Sequence, residues 1–295
     1  MEVSELTVAK IITQTISTLI SNIFGSIDNS LYSILDDLVF INSDIMKNPN
    51  LINIVGEDRS SGLVMIANAL IIGFLIYYAF SYLVSHFTFS KVQSPGQVIF
   101  RLLLCIICIN FSYFLCSQLI LLISSTSLAI RGIGESIFDH EICFSSLLNQ
   151  LNSIIYFNEF STNFFSLDGI IKAIMSIGLL NLALSYALRY VMVLVFVLIS
   201  PFAFLSLILD STSFIFKSWF KIFLSLLLLQ ILIPLILLVS FSFDYYEGDI
   251  TQKLIYIGSI YALIKANSYV RDFMGGLSTE INIGISNMKS TISGG

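Results

Sequence analysis

Apolar residues in this chain do not alternate with polar ones over most of its length; they run on. Gly62 to Val84 (GLVMIANALIIGFLIYYAFSYLV) contains no charged residue, and Leu102 to Ile123 (LLLCIICINFSYFLCSQLILLI) contains none either, with Asn110 and Gln118 as its polar members. A charge-free stretch of about 18 residues or more is long enough to cross about 30 Å of hydrocarbon as a helix. Ile170 to Leu209 is a single apolar tract interrupted by Lys172, Arg189, small polar residues and Pro201. A helical hairpin inside it would need turn residues near Arg189, and no Gly or Pro stands there. We therefore expect one long helix over 170–200, ended by Pro201, with 202–209 packing as a short re-entrant or interfacial piece. Further spans are expected at about 220–243, which holds Gln230 and Pro234, and at about 252–270, which holds Lys265 and Asn267.

The first 61 residues differ in pattern. Val8, Ile11, Ile12, Ile16, Leu19, Ile20 and Ile23, then Leu31, Ile34, Leu35 and Leu38, recur at helical spacing among Ser, Thr, Asn and Asp. That is the signature of amphipathic helices lying on the membrane surface or packing on the bundle. No cleavable signal is visible in the first 20 residues. The stretch 124–168 is expected as a long outer loop, and 271–295 as a tail. The expected fold is thus all-α and polytopic, with about five transmembrane helices in 62–270 after an N-terminal amphipathic segment.

Composition narrows the class. The 295 residues are 56% hydrophobic and only 11% charged, where a soluble domain carries roughly 25% charged residues to cover its surface. With 14 basic against 19 acidic residues the chain lacks the basic excess of a nucleic-acid binder, and 4 cysteines are too few for a disulfide scaffold. Charge also orients the spans, because Lys and Arg gather on the cytoplasmic side. Lys91 and Arg101, Lys217 and Lys221, and Arg271 and Lys289 fall on one face of a five-span arrangement. Asp244, Glu247 and Asp249 fall on the other. The N-terminus is therefore expected outside a cell membrane and the C-terminus in the cytoplasm.

Candidate chemistry is sparse. Only His86 and His140 exist, and no HExxH or Walker pattern occurs, so no catalytic residue, metal or cofactor is expected and the chain is read as a non-enzyme. Cys105 and Cys108 form a CxxC inside an apolar span, where small packing residues explain it better than redox work. Cys143 is expected as a free thiol, and Gly132 and Gly134 do not make a nucleotide fingerprint. Polar residues within the spans carry more information, because an arginine at the bilayer centre costs about 2.5 to 3.5 kcal/mol on insertion scales. Arg189 leads, followed by Asn110, Asn181, Gln230 and Asn267. These side chains either line or gate a path or join helices by hydrogen bonds, and Arg189 can alternatively snorkel to headgroups.

The run SPFAFLSLILDSTSFIFKSWFKIFLSLLLLQ, Ser200 to Gln230, joins a small-residue proline turn at Pro201 to a basic, Trp-containing entry into the next span, Lys217, Trp219 and Lys221. Together with IYALIKANSYVRDFMGGLSTEI, Ile260 to Ile281, which holds Asn267 and the Gly275, Gly276 pair, it resembles the TrbL family of polytopic inner-membrane channel subunits of type IV secretion and conjugation machines. The resemblance spans roughly Gly62 to Ile281. It implies a non-catalytic channel or scaffold subunit that forms a homo-oligomer in the bilayer. It further implies work beside other secretion subunits, including ATPases, on single-stranded DNA or protein as the translocated substrate. Lys217, Trp219 and Lys221 would then anchor at the cytoplasmic interface, or touch an ATPase or substrate, and Pro201 would shape a constriction or merely a kink. A secondary transporter broken at Pro201 and Pro234 and a non-transport structural or immunity protein are the alternatives.

Overall fold

In the computed structural model of the chain, residue 15 and residues 34–56, 62–88, 94–147, 167–243 and 250–274 are described. Among them every long element is a helix and no strand occurs. The sequence expectations for residues 1–14, 16–33 and 57–61, for 89–93 with Lys91, for the loop part 148–166, for 244–249 with Asp244, Glu247 and Asp249, and for the tail 275–295 lie outside the described residues.

Among the described residues a 3-10 turn at Ser43–Lys47 is followed by the helices α1 Pro49–Val55, α2 Leu63–Thr88, α3 Pro95–Asn110, α4 Ser112–Phe138, α5 Leu167–Leu205, α6 Ser213–Phe241 and α7 Ile250–Met274. Helices α2, α4, α5 and α6 are long and apolar enough to cross a membrane. The protein is a multi-pass, all-α membrane protein. The expected fifth span forms a helix, α7, but it is not among those four.

Helix packing follows a strict interval. The buried residues of α5 include Met175, Leu179, Leu182, Tyr186, Arg189, Val193, Phe196, Ser200 and Ala203, stepping alternately by four and three. Trp219, Phe223, Leu226, Gln230, Ile233, Leu237 and Ser240 do the same on α6. A 3.5-residue interval keeps a seam of side chains on one face of a helix and against its neighbour. On α7 the buried set is Ile260, Leu263, Ala266, Asn267 and Val270, and this face lies on α5 and α6. The outward residues of the same helices, such as Ile177, Val191, Leu235 and Val239, are apolar and exposed, as a lipid-solvated surface requires.

Four expected boundaries move. Pro201 does not end α5, which continues to Leu205. Proline removes the amide that would bond to the Val197 carbonyl, and the Ser200 hydroxyl donates to that carbonyl instead, at 2.7 Å. Residues 206–212 then form the turn into α6, fastened by the Thr212 hydroxyl donating to the Ser206 carbonyl at 2.7 Å. The expected span 102–123 is interrupted at Phe111, whose φ of -102° and ψ of 9° part α3 from α4. Helix then persists through Phe138, so 124–138 is not loop.

Of the two placements expected for the N-terminal segment, residues 34–56 take the one packed on the bundle, though not as a continuous helix. Residues 34–39 are helical, 40–42 are irregular, and the chain goes on through Ser43–Lys47 and α1. Leu35, Val39, Ile41, Met46 and Val55 are buried in turn within three successive clusters of the bundle. At one end Asp36 accepts from the Phe144 amide at 2.8 Å and the Ser145 hydroxyl at 2.7 Å. At the other, Val55 packs with Leu205, Ile208 and Leu209 beside the α5–α6 turn. The segment thus runs the length of the bundle. Arg131 holds it as well, donating to the Ile142 carbonyl at 2.9 Å with its guanidinium 4.4 Å over the Phe40 ring.

Gly134 marks the closest approach on α4. A Cβ there would overlap the side chains of Leu238 and Ile142, whereas one at Gly132 would meet nothing. Gly134→Val is expected to destabilise the detergent-solubilised protein by about 1–3 kcal/mol through overpacking, with Gly132→Val as the control. Equal unfolding midpoints for the two variants would refute this contact.

Candidate functional site

Arg189 lies at a seam position of α5, so the helix aims it into the protein and away from lipid. It is fully buried. Its Nε donates to the Leu226 carbonyl at 3.0 Å, Nη1 to the Val39 carbonyl at 3.1 Å, and Nη2 to Gln230 Oε1 at 3.4 Å. Gln230, also at a seam position and also buried, donates from Nε2 to the Ile41 carbonyl at 2.9 Å. Among the described residues no carboxylate hydrogen-bonds the guanidinium.

The acceptors explain the arrangement. Val39 ends the short helical stretch and Ile41 is in the irregular stretch after it, so their carbonyls have no helical partner further along the chain. Buried carbonyls without donors are costly, most of all where no water reaches them. Arg189 and Gln230 supply the donors that a continuous helix would have supplied. Gln230 follows Lys221 by nine residues, about 14 Å along a helix, and no charge occurs on α6 between Lys221 and its end. The cluster therefore sits near the middle of the apolar layer, and Arg189 does not snorkel. Chemically it is a clamp: two side chains hold a broken backbone segment at depth.

The other candidates do not join it. Asn110 Nδ2 donates to the Ile106 carbonyl at 2.7 Å, and its Oδ1 accepts from Asn68 Nδ2 at 3.3 Å, linking α3 to α2 at the α5–α6 turn end. Asn181 borders an apolar groove of about 180 Å³ between α5 and α7, and its buried Oδ1 has no partner among the described residues. Asn267 is buried on α7. Among the described residues none of these three asparagines hydrogen-bonds Arg189 or Gln230.

Trp219 turns into the bundle and not outward. It is buried, its Nε1 donates to the Phe196 carbonyl at 3.0 Å, and it packs among Phe204, Phe216, Phe220 and Phe223 at ring-centroid distances of 5.3 to 6.5 Å. The seam spacing puts it inside. Lys217 and Lys221, on either side of it, are exposed. Pro201 lies within the α5 helix, as described, and makes no gap there. Cys105, Cys108, Cys116 and Cys143 are free thiols.

Several residues that fix the cluster escape a reading of the sequence. Asp36 and Arg131 tether the N-terminal segment, the Tyr113 hydroxyl bonds the Met46 carbonyl, and the Tyr186 hydroxyl donates to the Leu263 carbonyl at 3.1 Å. The available signal was the composition of 42–50, NSDIMKNPN, whose Asn and Pro residues break a helix just after the last apolar-periodic positions. No model of a known protein family matches the chain, and a search of curated proteins finds no relative.

Proposed function

We propose that this protein is a channel or scaffold subunit of a type IV secretion complex, embedded in a cell membrane and driven by ATPases that are separate proteins. The resemblance of Ser200–Gln230 and Ile260–Ile281 to the TrbL family supports this reading. The observation that carries it in the structure is the Arg189–Gln230 clamp. Irregular backbone at membrane depth occurs where it is buried in protein or lines a water-filled cavity, and an intramembrane arginine marks such places. A conduit subunit would use that kind of element to hold non-helical backbone at depth.

The subunit would assemble with copies of itself in the bilayer, beside other secretion subunits, and pass single-stranded DNA or protein outward. Lys217 and Lys221 would face the cytoplasm, where they can meet anionic lipid or an ATPase. The N-terminus would lie outside and the C-terminus inside. A secondary transporter is less well supported, because α5 and α6 continue through Pro201 and Pro234 and offer no broken pair of helices.

In-frame deletion of the gene is expected to abolish conjugative transfer while growth continues, and the intact gene is expected to restore transfer. Unchanged transfer from a competent donor lacking the protein overturns the reading. Solute uptake by the same strain then becomes the experiment to run.

A further inference from the structure

The clamp leaves one side of the N-terminal segment facing out of the bundle, and that side is polar. Asn42, Asp44, Lys47, Asn48 and Asn50 are exposed, while Ile41, Met46 and Val55 on the other side are buried. Asp44 and Lys47 form an ion pair at 2.6 Å whose side chains are 62% and 80% exposed, and Asn42 Nδ2 donates to Asp44 Oδ2 at 3.1 Å.

Depth makes this unusual. Ile41 is bonded to Gln230, in the middle of the charge-free run of α6. Met46 shares a cluster with Cys116, Ile120 and Ile123 of α4 and with Phe223 and Leu226 of α6. Of the exposed neighbours on α4 at that level, Leu115, Leu121 and Leu122 are apolar and Gln118 is polar. Asn42 and the Asp44 carboxylate with its Lys47 partner, just after Ile41, therefore stand beside a belt that is mostly apolar. Hydrocarbon does not solvate such groups, and irregular backbone is not found facing it.

We infer that the polar edge of residues 42–47 lines a water-filled path through the membrane, kept there by the hold of Arg189 and Gln230 on the other side of the same segment. This rests on the channel reading and gives it a location. Water is the solvent this edge calls for, since one acidic and one basic side chain and the amides beside them favour neither sign of charge in what passes.

The test is thiol accessibility in the native membrane. Asn42, Asp44 and Asn48 are each replaced by cysteine in the full chain, with Cys105, Cys108, Cys116 and Cys143 changed to alanine. Leu122→Cys and Leu235→Cys report lipid-facing positions at similar depth. Intact cells and inside-out vesicles are treated with a charged, membrane-impermeant maleimide. Asn42→Cys and Asp44→Cys are expected to label at least tenfold faster than Leu122→Cys and Leu235→Cys. Labelling of these two at the lipid-facing rate overturns the inference. So does labelling confined to Asn48→Cys from one side, which would mean that the segment only reaches the headgroups. The readout does not depend on the transported substrate: fast labelling at Asn42 together with normal mating of the deletion strain would retain the water path and discard the secretion assignment.

Discussion

Arg189→Leu is expected to loosen residues 34–56 from the bundle. The substitution leaves the Val39 carbonyl and the Gln230 side-chain oxygen without their donor in a place that water does not reach. An orphaned buried acceptor costs about 1–3 kcal/mol, so the pair amounts to a loss on the order of 3 kcal/mol. Burying leucine instead of a guanidinium recovers part of this, since a charge no longer has to be desolvated, but the carbonyls stay where the backbone puts them. Hydrogen exchange followed by mass spectrometry on the detergent-solubilised protein reads the result. Exchange in 39–46 should rise by roughly a hundredfold, the factor that about 3 kcal/mol of local opening implies. Arg189→Lys should fall between, because an ammonium donates to carbonyls but cannot span all three acceptors as the planar fork does. Unchanged exchange in the leucine variant would show that packing of Val39 and Ile41, not the guanidinium, holds the segment.

Trp219→Ala should be the most damaging change on α6. It removes a ring packed against Phe204, Phe216, Phe220 and Phe223 and the bond to the Phe196 carbonyl, and large-to-small changes of this kind cost about 3–5 kcal/mol. Trp219→Phe keeps most of the packing and loses one hydrogen bond, about 1 kcal/mol. Unfolding midpoints in detergent separate the two. Had Trp219 been a headgroup anchor, both variants would unfold nearly alike and differ instead in membrane insertion.

The contrast between these two residues and their expected roles shows how far a membrane sequence can be read. In a soluble helix the polar face reveals the buried one. On α5 and α6 the face toward lipid is as apolar as the face toward protein, so the alternating four- and three-residue steps from Met175 to Ala203 and from Trp219 to Ser240 are masked by leucine, isoleucine and valine at the intervening positions. Arg189 and Gln230 stood out as polar residues, and their importance was legible for that reason. Their partners were not, because the acceptors are main-chain carbonyls of Val39 and Ile41, and no residue type announces a carbonyl.

Pro201 and Phe111 make the same point about helix ends. Proline suggested a stop, yet the Ser200 hydroxyl takes over the unpaired Val197 carbonyl and the helix runs on to Leu205. Nothing in the residues around Phe111 suggested an interruption, but α3 and α4 part there.

The sequence by itself determined that the protein is helical and crosses a membrane, since long charge-free runs leave no other solvent for so much apolar surface. It also determined which polar residues would have to be accommodated at depth. Only the tertiary structure decided that residues 34–56 thread along the bundle, that Trp219 turns inward, and that Arg189 and Gln230 close on a broken backbone. Those outcomes depend on which neighbour supplies each hydrogen bond across gaps of up to 189 positions in the chain, and local patterns of polarity carry no record of that pairing.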